Sequence, residues 1–150
     1  MGDILIVDDE KDIRELISEI LIDEGFSTRL CSNSAECLDQ VSNAPPSLLI
    51  LDIWLKDSNM DGIDILKKVK IDYPQVPVVI ISGHGNIEIA VSAIKQGAYD
   101  FIEKPFRNRK NEFKKILLSL LIIILAIIAI NSYVILKDGK IGYSYNIVKN

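Results

Sequence analysis

Three carboxylates, a hydroxyl and an ammonium recur at one kind of place in this sequence, directly after a short apolar run. "DILIV" is followed by Asp8 and Asp9, "LLIL" by Asp52, "PVVII" by Ser82 and "YDFIE" by Lys104. If the runs are strands of one sheet, these side chains gather at a single edge. Three carboxylates meeting there repel one another strongly unless a cation joins them. All-oxygen ligation at a partly open site suits Mg²⁺, which keeps several waters and commonly binds phosphate as well. The Ser82 hydroxyl and the Lys104 ammonium add a donor and a point charge, which a phosphoryl group requires. Phosphoryl transfer rests mainly on positioning and charge neutralisation, so this small set is chemically sufficient for it. Acids after a single strand are as readily solvated turn residues. The agreement among all the strand ends is what favours a site.

Hydrophobic periodicity defines the elements that must hold these residues. Asp3–Val7 has the continuous apolar character of a strand buried on both faces. Ile13, Leu16, Ile17, Ile20 and Leu21 repeat at helical spacing, and Gly25 stands where a helix stop belongs. Thr28 to Cys31 predicts a short strand, and Ser34 to about Val41 a helix that Pro45 and Pro46 end. Leu48 to Leu51 is another all-apolar strand. Ile63, Leu66, Val69 and Tyr73 mark a third helix, and Val76 to Ile81 a fourth strand with Pro77 tolerable near its start. Ile87, Ala90, Val91 and Ile94 predict the buried stripe of a fourth helix, capped by Asn86 and stopped by Gly97. Ile89 then falls opposite that stripe, on a side open to solvent or a partner. Tyr99 to Ile102 predicts a fifth strand. Such alternation of strand and helix implies an α/β fold: a doubly wound parallel sheet with right-handed crossovers and helices on both faces. Open sheets of this kind place their sites at the carboxyl ends of the strands.

The strings "LIVDDE", "LLILDIW", "MDG", "VVIISGHG" and "YDFIEKPF", in this order, resemble the receiver domain of two-component response regulators. The resemblance covers residues 3 to 106. "LDIWLKDSNMDG" and "SGHGNIEIAVSAIKQGAYDFIEKPF" are similar to the NtrX-type regulators of the NtrC family. It implies a five-stranded flavodoxin-like sheet of order 2-1-3-4-5. Matched residue by residue, it makes Asp52 the phosphoacceptor that takes a phosphoryl group from a sensor histidine kinase. Asp9 becomes a direct Mg²⁺ ligand, Asp8 its neighbour holding metal-bound water, and the Trp54 backbone carbonyl a further ligand. Ser82 becomes the switch hydroxyl, Phe101 the switch aromatic, and Lys104 the lysine on the phosphoryl oxygens. Lys104–Pro105 is implied as a cis peptide. Phosphorylation would remodel the face of helix 4, strand 5 and helix 5, through which a homodimer could form. Two departures stand out: the loop from Asp52 to "MDG" is long and lacks proline, and Phe101 replaces a frequent tyrosine. In the family, the side chains at Trp54 and His84 tune the loss of the phosphoryl group. Such a domain is a phosphoacceptor switch rather than an enzyme acting on other substrates.

Other readings compete. A receiver fold can serve as a binding module without phosphate. A small Mg²⁺-dependent phosphohydrolase shares the acceptor aspartate and lysine, but it wants "DxD" where Asp52 is followed by Ile53 and Trp54. His84, the only histidine, reads as a structural or solvent-facing turn residue, and Asp57, Asp61 and Asp64 as solvated loop and cap residues. Cys31 and Cys37 lack metal-site spacing and read as packed thiols of a cytoplasmic protein.

The chain has 150 residues, enough for one domain with a substantial core, and a net charge of −4, which gives no global pull toward nucleic acid. No signal peptide is expected, because Asp8 and Asp9 cut the first apolar run short. Residues 107–150 form a basic and then hydrophobic tail. The segment 116–136 carries no charge and would extend roughly 31 Å as a helix, near the thickness of a bilayer core. The basic residues Arg107, Arg109, Lys110, Lys114 and Lys115 precede it and would keep the receiver cytoplasmic. A membrane anchor, a longer regulator truncated or frame-disrupted after its receiver, and a tail that folds against the receiver or mediates association are the three expectations for it. No ATPase or DNA-binding domain fits in the tail, so direct nucleic-acid binding is not expected.

Overall fold

The computed structural model describes residues 2–56, 58–83, 87–104, 115, 117–119, 121–123, 125, 126 and 129. The chain divides into two compact units, Met1–Asn108 and Arg109–Asn150. In the first, strands and helices alternate: β1 (Asp3–Val7), α1 (Lys11–Asp23), β2 (Ser27–Cys31), α2 (Ser34–Asn43), β3 (Leu48–Asp52), α3 (Gly62–Asp72), β4 (Val78–Ser82), α4 (Ile87–Lys95) and β5 (Asp100–Glu103). The five strands form one sheet in the order β2-β1-β3-β4-β5, with every pair parallel. This is the doubly wound architecture that the alternation predicts.

β3 and β4 are buried along their whole length and β1 nearly so, as strands covered by helices on both faces must be. Leu5, Val7, Leu49, Leu51 and Ile80 meet Ile65, Leu66 and Val69 of α3 in one core. Gly25 and Gly97 end α1 and α4 with φ of 89° and 99°. Each allows a Schellman closure. Phe26 N–H donates to the Leu21 carbonyl at 3.0 Å, and Ala98 N–H to that of Ala93 at 3.1 Å.

Three expectations are corrected. β4 starts at Val78, after Pro77, whose carbonyl accepts from Leu49 N–H at 3.0 Å. β5 lies one residue later than its apolar pattern suggests. The third correction concerns α4, whose buried side is not the predicted one. Ile87 is 82 % exposed, Val91 45 % and Ile94 46 %, whereas Ala93 is fully buried and Ile89 packs on the core. Apolar residues nearly encircle this helix, so spacing alone supports two stripes. The small Ala93 allows close approach to the sheet, and Ile89 lies one turn before it on the same face.

The second unit is helical at each described position between 115 and 129. Among the described residues no helix is long and apolar enough to cross a membrane. The anchor expected over 116–136 falls in part outside them, as do the Asn86 cap and the Lys104–Pro105 peptide.

Candidate functional site

Strand register places the chemistry at one sheet edge. Val7 pairs with Leu51, Asp52 with Ile81 and Ser82 with Glu103, so Asp8, Asp52, Ser82 and Lys104 all lie at the carboxyl ends. The strand order reverses between β1 and β3, the position at which open α/β sheets form a crevice. Asp8 and Asp9 follow one of these strands and Asp52 ends the other.

Backbone bonds fix each group. Asp8 N–H donates to the Cys31 carbonyl at 3.2 Å and Ile53 N–H to that of Ile81 at 3.2 Å. Lys104 N–H donates to the Ser82 carbonyl at 2.8 Å, which carries the lysine over the edge of β4. Arg14 of α1 donates to the Asp8 carbonyl. Gly62 N–H donates to the Ile53 carbonyl at 2.8 Å. A Cβ on Gly62 would lie 2.1 Å from the Asp52 carbonyl oxygen, so glycine is required for α3 to start this close to the site.

Lys104 Nζ sits between the buried acids. It donates to Asp52 Oδ2 at 3.0 Å and lies 2.7 Å from Asp8 Oδ2, an ion pair without hydrogen-bond direction. Glu10 Oε1 approaches the same ammonium at 3.3 Å from the exposed side. Burial opposes the lysine charge, but the close negative charges of Asp8 and Asp52 outweigh it and hold Lys104 above its ordinary pKa. Burial, reinforced by the Asp8 charge, pushes Asp52 up to about 6, against the pull of Lys104 and the Trp54 N–H. Burial raises Asp8 as well. One lysine therefore leaves the two carboxylates under-neutralised.

One carboxylate oxygen from each of Asp8, Asp9 and Asp52 lies within 4.8 Å of the others. Asp8 Oδ2 and Asp52 Oδ1 are buried and accept no hydrogen bond. Buried anionic oxygens in that condition cost free energy unless a cation shares them. Hard oxygen donors, excess negative charge and unfilled lone pairs fit a Mg²⁺-sized ion.

Ser82 and Phe101 occupy neighbouring strands. Ser82 is fully buried, and Phe101, partly buried against the core, sits opposite Ile80, two residues before Ser82. The two-residue strand period puts both side chains on one face of the sheet. Trp54 is half-exposed beside the site, where it lines a cavity of about 230 Å³ with Ile53, Ile63 and Ile89, to which Asp61 and Glu88 add charge. Asp61 caps α3 by accepting from Asp64 N–H at 2.9 Å, and Asp64 pairs with Lys67 at 3.6 Å, as cap and surface residues do. Cys31 and Cys37 are buried free thiols, which burial pushes up to about 12. Asp57 and His84 lie outside the described residues. Sequence reasoning missed Glu10 and the reason for Gly62. "DDE" contains the first, but only the lysine position reveals its partner.

Comparison with known proteins agrees with this fold. The response regulator receiver domain family matches residues 4–117. The nitrogen assimilation regulatory protein NtrX of Azorhizobium caulinodans is 57 % identical over 104 residues, covering 69 % of this chain and 23 % of that protein. The chain thus spans about a quarter of the length of such curated relatives. The crystal structure of the receiver domain of NtrX from Brucella abortus is 48 % identical with a TM-score of 0.75, covering 83 % of this chain and 98 % of that one. The solution structure of the beryllofluoride-activated NtrC4 receiver domain dimer is 35 % identical with a TM-score of 0.65, covering 75 % and 93 %.

Proposed function

The chain belongs to the response regulator receiver domain family, and from that premise we propose that it is a switch phosphorylated on Asp52. The observation that carries the proposal is the buried Lys104 ammonium between Asp52 and Asp8, one cation shared by two buried carboxylates, of which Asp52 Oδ1 accepts no hydrogen bond. An Asp52 oxygen attacks the phosphorus of a phosphohistidine on a sensor histidine kinase. The P–O bond forms as the P–N bond breaks, and the electron pair leaves with the imidazole. Asp8, Asp9, Asp52 and the Trp54 carbonyl are the groups that would hold Mg²⁺, which supplies charge neutralisation between carboxylates and phosphoryl oxygens. Lys104 turns from the carboxylates to those oxygens as a point charge. Ser82 donates its hydroxyl to the same group, and Phe101 follows on the neighbouring strand.

A doubly charged group at Asp52 biases two arrangements of the surface formed by α4 and β5. The exposed Ile87, Val91 and Ile94 belong to that surface, and a second receiver is the partner we assign to it. The NtrC4 receiver is a dimer in its beryllofluoride-activated form, which supports the assignment. We place the domain in the cytoplasm, where a kinase domain can reach it.

Incubation with a small-molecule phosphodonor tests the reading. The expected product is one acid-stable, base-labile phosphoryl group per chain, formed with Mg²⁺ and absent under chelation. Absence of labelling in Mg²⁺ would leave a binding module that signals without phosphate.

A further inference from the structure

We infer that Glu10 is a positioning residue that draws Lys104 off the metal-binding carboxylates and so eases entry of the divalent cation. The inference rests on the Mg²⁺-dependent reading above. Two observations carry it. The first is the sharing of Lys104, whose ammonium lies 2.7 Å from Asp8 Oδ2, 3.0 Å from Asp52 Oδ2 and 3.3 Å from Glu10 Oε1. Asp8 and Asp52 are the carboxylates a cation needs, so lysine and cation compete for them. Glu10 offers the lysine a third carboxylate outside the set formed by Asp8, Asp9 and Asp52.

The second observation is what Glu10 forgoes. It occupies the N-cap of α1 with extended φ and ψ of −81° and 107°, yet its side chain caps nothing. Ser, Thr, Asp or Asn would serve this helix better. Its backbone is fixed at both ends. Its N–H donates to Asp8 Oδ1 at 2.8 Å, and its carbonyl accepts from Ile13 and Arg14 N–H at 3.1 Å. Only the side chain remains free to turn, and it turns to Lys104 rather than to the helix.

When a cation draws Asp8 and Asp52, Glu10 keeps a carboxylate beside the displaced ammonium. Without Glu10 the ammonium rests on Asp8 and Asp52 alone and competes harder. Glu10 is more than half exposed, so its direct field at the cation is weakened by solvent. Its effect therefore runs mainly through Lys104.

Mg²⁺ titration of the full chain, followed by fluorescence of Trp54, the only tryptophan, reads this without any reaction. Glu10→Ser is expected to bind Mg²⁺ about threefold more weakly, the scale of one partly exposed ion pair. The metal-free variant should unfold at the same or a higher temperature than wild type, because serine restores the cap. In a Lys104→Met background, the same substitution should change Mg²⁺ affinity by less than about half that factor. Unchanged affinity in Glu10→Ser overturns the inference, as does an equal loss with and without Lys104. If wild type itself shows no saturable Mg²⁺ response, the metal reading of the site fails first. If it binds and Glu10→Ser binds equally, only the role of Glu10 fails.

Discussion

α3 and α4 are helices of similar length with apolar residues at helical spacing, yet they relate to the protein differently. In α3 the residues at the predicted spacing, Leu66 and Val69, are the ones buried, together with Ile65. Asp61 caps its start, and Gly62 abuts the backbone of Asp52 and Ile53. In α4 only Ala93 is buried, and Ile87, Val91 and Ile94 face outward. α3 thus fixes the end of β3 at Asp52, whereas α4 buries only Ala93 and leaves Ile87, Val91 and Ile94 exposed. A helix packed closely against the site on one side and an exposed apolar helix face on the other are the contrast on which the proposed switch rests.

Substitutions can break or sharpen this contrast. Leu66→Ala should cost about 2–5 kcal/mol in urea unfolding, because the cavity opens in the core beneath the sheet. Retention of wild-type stability would remove α3 as the closely packed helix. Gly62→Ala should cost about 1–3 kcal/mol, as overpacking does, and should also abolish phosphoryl uptake by displacing the Asp52 backbone. Loss of stability with normal uptake would separate α3 from the site. In α4, Ile89→Ala should cost about 1 kcal/mol, since Ile89 is only partly buried against the core. Ile87→Ser should stay within about 0.5 kcal/mol of wild type. If Ile87 were costlier than Ile89, the orientation of α4 would be the one its sequence first suggests.

The sequence was legible where one physical answer dominated. Continuous runs such as Leu48–Leu51, too short for helices and bounded by turn residues, read as buried strands between helices, and their carboxyl ends located Asp8, Asp52, Ser82 and Lys104. Gly25 and Gly97 were readable because a left-handed residue ends a helix at little cost only as glycine. α4 was misread because Ile87, Ile89, Ala90, Val91, Ala93 and Ile94 satisfy helical spacing on more than one side. Burial then depends on how closely Ala93 approaches the sheet, which no local pattern encodes. Glu10 was invisible for a related reason: its partner is 94 residues away. Gly62 could be quoted as part of "MDG", but its necessity comes from a carbonyl on another element.

The central claim is that Asp52 is the group that accepts phosphate. Treatment with a small phosphodonor and Mg²⁺, borohydride reduction and peptide mass mapping tests it most directly. Reduction converts an aspartyl phosphate to homoserine, so the account predicts homoserine at position 52 in wild type and no reduced aspartate anywhere in Asp52→Asn. Homoserine at position 8 or 9 in wild type, or labelling that persists in Asp52→Asn at the wild-type level, would contradict it.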